Sequence, residues 1–147
     1  MKRELLKFCW DYVNERAHRL KKSNDDLQES LDSEDKNSTG DKHETGRAMV
    51  QLEQEKLAQQ IQELDNTRDA LKKVNIDRIS ETIAEGSWVK TSFANYFIAI
   101  SAGAYKHEKE VVYCISINAP IAQLLVAKKK GDSFVFNGNT HTILEVV

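Results

Sequence analysis

The chain has 147 residues, with 21 Lys and Arg against 23 Asp and Glu and a net charge of −2. That length suits one ordinary domain or two small ones, and 40% apolar with 30% charged residues excludes a fully disordered or a membrane-embedded chain. The slightly acidic balance argues against independent DNA binding, which rests on Lys and Arg neutralising phosphates.

From the first residues, apolar positions recur at helical spacing. Leu6, Trp10, Val13, Ala17, Leu20, Asn24, Leu27 and Leu31 alternate steps of four and three, the seam of a coiled coil. Val50, Gln54, Leu57, Ile61, Leu64, Arg68 and Leu71 repeat those steps. Between the two series, Asp32–Thr45 has no large apolar residue and is predicted as a turn. Two such helices fold back as an antiparallel hairpin. Arms of about 28 residues span roughly 40 Å at about 1.5 Å per residue. Asn24, Gln54 and Arg68 interrupt the seam, and polar residues there set register at a cost in stability.

Charge varies along this finger. Residues 1–22 carry a net +4, whereas 25–44 carry eight acidic groups against Lys36 and Lys42, a net −6. At its tip lies Gly40-Asp41-Lys42-His43-Glu44. Asp41 with Glu44 three residues on has the form of a capping box, satisfying free N–H groups of the second helix. The same two carboxylates at an exposed turn also suit one Mg²⁺ ion or its bound water. The spacing leaves both readings open.

Composition changes near Asn75. Thirty of the first 75 residues are charged, against 14 of the last 72, and eight of the eleven aromatics fall in the second stretch. The chain divides on this basis into 1–75, a coiled-coil finger with its tip at about 33–46, and 76–147, a small α+β domain. Trp88–Thr91, Tyr96–Ile100, Val111–Ile117, Ser133–Asn137 and Thr140–Val147 are rich in β-branched and aromatic residues and are predicted as strands. Asn137-Gly138 signals a hairpin between the last two. Ala119–Ala127 is predicted as a short apolar helix with Pro120 in its first turn, ended by Lys128–Lys130, Gly131 and Asp132.

Familiar enzyme motifs are absent: the sequence has no GxSxG, Walker loop, GxGxxG or HExxH. His18, His43, His107 and His141 are scattered over both halves. Cys9 and Cys114, with no CxxC, make neither a disulfide framework nor a zinc site and are expected to pack as small apolar residues. Glu4, Lys7 and Asp11 interrupt the first apolar cluster, so no signal peptide is expected and the expected location is cytoplasmic.

Two stretches together resemble the bacterial GreA/GreB transcript-cleavage factors. One is Gly40-Asp41-x-x-Glu44 between the two arms. The other is Ala119-Pro120-Ile121, Leu124-Leu125, Lys128-Lys129 and Gly131-Asp132, followed by Ile143-Leu144-Glu145-Val146. The resemblance implies an FKBP-like second domain that docks at the rim of the RNA polymerase secondary channel through Pro120, Lys128, Lys129, Gly131 and Asp132. It implies that the finger enters the channel and sets Asp41 and Glu44 beside the polymerase's catalytic metal. There they help hold a second Mg²⁺, shared with the polymerase and not tightly bound by the chain alone, near the 3′ end of backtracked RNA. The cleavage activity belongs to the polymerase, so the chain is not itself expected to be an enzyme. Where the family's tip continues with Asn, Glu and Tyr, this chain has Thr45, Gly46, Arg47 and Ala48. That departure keeps open a Gre-like regulator that fills the channel without stimulating cleavage. A prolyl isomerase, by contrast, would require an open aromatic pocket.

Overall fold

The computed structural model describes the backbone of residues 1–36 and 40–147, and side chains except those of residues 34–45. Two long helices come first, α1 (Lys2–Lys36) and α2 (Gly40–Lys72). Six strands follow: β1 (Trp88–Thr91), β2 (Asn95–Ala99), β3 (Gly103–His107), β4 (Glu110–Ser116), β5 (Ser133–Phe136) and β6 (Asn139–Val146). A short helix, α3 (Pro120–Leu125), lies between β4 and β5. This is an α+β chain. Among the described residues, no helix is long and apolar enough to cross a membrane.

The helices of 35 and 33 residues outrun the predicted arms and take in most of the stretch predicted as a turn. A helix already packed over several turns gains one backbone bond for each added residue, so it can extend beyond its apolar stripe. Gln28, whose amide donates to Asp32 at 3.3 Å, supports the continuation. At the other end, 3₁₀-type bonds from Lys73 and Val74 to Ala70 and Leu71 tighten the last turn of α2. The Asn75 side chain then accepts the Asp77 N–H at 2.9 Å, turning the chain out of the helix.

By packing, the chain divides into two compact units, one of Val13–Arg68 and one of Met1–Tyr12 with Asp69–Val147. Composition changes at residue 75; packing divides the chain inside the helices.

In the Val13–Arg68 unit, Val13, Leu20, Leu57 and Leu64 are buried, with Leu27 and Val50 half-buried in the same seven-residue series. The alternate seam positions Ala17, Gln54 and Ile61 are half-buried and form its margin. Two of the polar positions read as register-setting do not have that role. Asn24 is exposed, and Arg68 pairs within its own helix with Asp65 at 3.1 Å. Gln54 does reach across, donating to Gln28 at 3.5 Å.

In the other unit the sheet order is β3-β4-β2-β1-β6-β5. β2 and β4 are parallel and every other pair is antiparallel. The chain leaves β2, runs up the edge as β3, and turns back at Glu108 to insert β4 between them. The predicted β5–β6 hairpin is present: Asn137 (φ 51°) and Gly138 (φ 78°) form a two-residue turn closed by the Phe136–Asn139 pair. β3 had no counterpart among the predicted strands. Of its residues only Tyr105 is half-buried, so Gly103–His107 shows no alternating pattern.

One sheet face carries the core, where Val89, Tyr96, Ile98, Phe134 and Ile143 pack with Ile83 and with Leu125 of α3. On the opposite face, the first turns of α1 bring Phe8 edge-on to Tyr105, with ring centres 5.3 Å apart. Here the buried stripe is Leu5 and Cys9, one position from the predicted Leu6 and Trp10, because α1 turns toward the sheet rather than toward α2. Leu144 is pushed out at a β-bulge, where Lys90 pairs with Glu145 but Thr91 pairs with Ile143.

Candidate functional site

Asp41 and Glu44 lie outside the residues whose side chains are described. The backbone of α2 begins at Gly40, so Asp41 falls inside the first helical turn rather than ahead of it. Acidic residues at that end suit the helix dipole, and residues three apart share a helical face.

The second candidate stretch is fully described, and local bonding explains much of it. Ala119 is extended (φ −64°, ψ 144°), and Pro120 opens α3, where its fixed φ and missing N–H cost nothing. Pro120 is exposed. After α3 the chain reverses in a tight turn, with Ala127 at φ 69° and Gly131 at φ 93°. The Asp132 carboxylate accepts the Lys129 N–H at 3.0 Å, and the Asp132 N–H donates to the Lys129 carbonyl at 3.0 Å. Gly131 donates to Ile143 at 2.8 Å, and Ile143 donates back to Asp132 at 2.9 Å, fastening the turn to β6.

Gly131 and Asp132 thus shape the turn, and the groups it presents outward are Lys129 and Lys130, both exposed. Lys128 is half-buried, with its ammonium 5.9 Å from the Phe134 ring centre. Pro120 and the lysines come from the two ends of one α3 connection. Asp41 and Glu44 belong to the other compact unit.

Two features of the compact unit that holds Pro120 and the lysines were not legible in the sequence. His141 is buried among Phe93, Phe134 and Phe136, with ring centres 4.3, 5.0 and 6.2 Å away. Among the described residues, its Nδ1 has no hydrogen-bond partner. The turn that places Phe93 is held by Thr91, whose hydroxyl donates to the Ala94 carbonyl at 2.7 Å and accepts from the Phe93 and Ala94 N–H groups. The second feature is the meeting of Cys9 with Cys114 beneath α1. Among the described residues, no three His, Cys, Asp or Glu side chains converge as a metal site would require.

No family model matches the chain, and no curated protein matches it.

Proposed function

We propose that this chain is a Gre-like transcription elongation factor that enters the secondary channel of RNA polymerase and stimulates cleavage of backtracked RNA. The observation that carries the reading is one combination: Gly40-Asp41-x-x-Glu44 at the junction of two helices of 35 and 33 residues, in a chain whose α+β unit bears the Ala119-Pro120-Ile121 to Gly131-Asp132 stretch. A helix of that length reaches about 50 Å, long enough to carry an acidic tip deep into a channel. In this reading the α+β unit is FKBP-like and docks at the channel rim through Pro120, Lys128, Lys129, Gly131 and Asp132.

The donor set fits the metal. Two carboxylates supply hard oxygen ligands of the kind Mg²⁺ takes, and two ligands leave its shell incomplete, which suits an ion shared with a partner. Bound there, Mg²⁺ supplies an acidified water, the nucleophile needed for phosphodiester hydrolysis. The chain's own contribution is placement and charge. Asp41 and Glu44 bring two negative charges to a site already rich in phosphate.

The second reading, a channel-filling regulator that does not stimulate cleavage, is favoured by Thr45, Arg47 and Ala48 in place of the family's continuation. Incubating the full-length chain with a purified, stalled and backtracked elongation complex tests the proposal. Shortened RNA supports it, whereas polymerase binding with unchanged RNA selects the regulator. No polymerase binding sinks both.

A further inference from the structure

Cys9 and Cys114 are more than a hundred positions apart in sequence, yet both belong to the unit of Met1–Tyr12 with Asp69–Val147. Both are free thiols, 0% and 2% exposed. Cys114 sits on β4 between Phe97 of β2 and Gly103 of β3. Phe8, the neighbour of Cys9, packs on Tyr105, which pairs with Val112 two residues before Cys114. The first turns of α1 therefore lie across β3 and β4 at this point, and the Cys9 and Cys114 thiols are neighbours there.

We propose that Cys9 and Cys114 form a reversible dithiol–disulfide couple, oxidised by hydrogen peroxide, that fastens the root of α1 to β4. The two thiols differ in acidity. The Cys114 thiol beside it holds Cys9 below the ordinary thiol range, against the opposing effect of burial and with help from the Ile100 backbone. Cys114 is pushed up by the Cys9 sulfur beside it and by burial. Cys9 is therefore the nucleophile.

Its thiolate attacks one peroxide oxygen, the O–O bond breaks, and hydroxide leaves, giving a sulfenic acid on Cys9. The Cys114 sulfur, losing its proton, attacks the Cys9 sulfur, the S–S bond forms, and the sulfenic oxygen leaves as hydroxide. Two thiols lose two electrons and two protons, and one peroxide becomes two waters. A small dithiol reverses the change. Burial of both sulfurs favours a small neutral oxidant over a bulky one.

The test uses the full-length chain, treated with hydrogen peroxide, quenched, denatured and assayed for thiols and intact mass. The expected result is that the two titratable thiols fall to none, in a monomer lighter by about 2 Da, with dithiothreitol restoring both. Closing a loop this long is expected to raise the melting temperature by roughly 5–15 °C without reductant. Cys9→Ser and Cys114→Ser should each abolish that shift. Two thiols still titratable after oxidation of a control dithiol, added oxygen in place of lost hydrogen, or disulfide-linked dimers would each overturn the proposal.

Discussion

Among Gly86, Gly103, Gly131 and Gly138, all at positive φ, an added methyl group meets the most resistance at Gly86. Its backbone lies at φ +88°, and a Cβ built there falls 2.4 Å from the Asn75 carbonyl oxygen and 3.1 Å from its carbon. Neither side yields easily. The Gly86 N–H is bonded to Ile98 at 2.7 Å, and the Asn75 side chain is committed to Asp77. Ala at positive φ costs about 1–2 kcal/mol, and forcing a methyl group into packed backbone costs about 1–3 kcal/mol more.

Gly86→Ala should therefore destabilise the protein by about 2–5 kcal/mol and lower its melting point by roughly 5–15 °C. Gly103 supplies the control, because it shares φ +88° but has nothing within 4 Å of its built Cβ. Gly103→Ala should lose only the conformational part, about 1–2 kcal/mol. Urea unfolding followed by tryptophan fluorescence, with unchanged m-values, measures both. If Gly86→Ala costs no more than Gly103→Ala, the close approach at Asn75 is not a constraint on this fold.

Leu64→Ala should cost about 2–4 kcal/mol in urea unfolding followed by far-UV circular dichroism, because a single buried position per heptad holds the helices together. Asn24→Ala should stay within about 0.5 kcal/mol, since Asn24 is exposed. Burial, with a smaller contribution from Tyr113, raises the Tyr96 phenol above its ordinary 10.0. That group's contribution is complete below the unfolded phenol's pKa and is lost as pH rises through the folded value. Stability should therefore fall above about pH 10, and Tyr96→Phe should make the decline shallower in melting curves taken at a series of pH values.

Much of the α+β unit was legible because its strands are rich in β-branched and aromatic residues. Val89, Tyr96, Ile98, Phe134 and Ile143 fall at alternating positions along their strands and meet on one face, and Asn137-Gly138 has the one turn geometry that joins two such strands tightly. β3 was not legible because it is an edge strand with mostly exposed side chains, held by pairing with β4 rather than by burial. The helix ends were hidden for a related reason, since a helix end that carries no large apolar residue leaves no periodic trace. Gly131-Asp132 was legible as a break beyond α3, which itself ends earlier than predicted, at Leu125, but the sequence did not separate its role in shaping the turn from a contact surface. Only the bonds of Lys129 and Ile143 to Asp132 make that distinction. The cysteine pair was invisible, because pairing across more than a hundred positions is set by where α1 lands on the sheet.

The central claim is that Asp41 and Glu44 act on a metal in a polymerase site rather than only on their own helix. Asn and Gln preserve most local helix-end hydrogen bonding but carry no charge. The deciding measurement is therefore RNA shortening in a backtracked elongation complex by the Asp41→Asn, Glu44→Gln double variant, with melting temperature and competition for polymerase measured in parallel. The account predicts an unchanged melting point, competition equal to that of the unmodified chain, and stimulated cleavage reduced at least about tenfold. Undiminished cleavage by a folded, competing variant would contradict it.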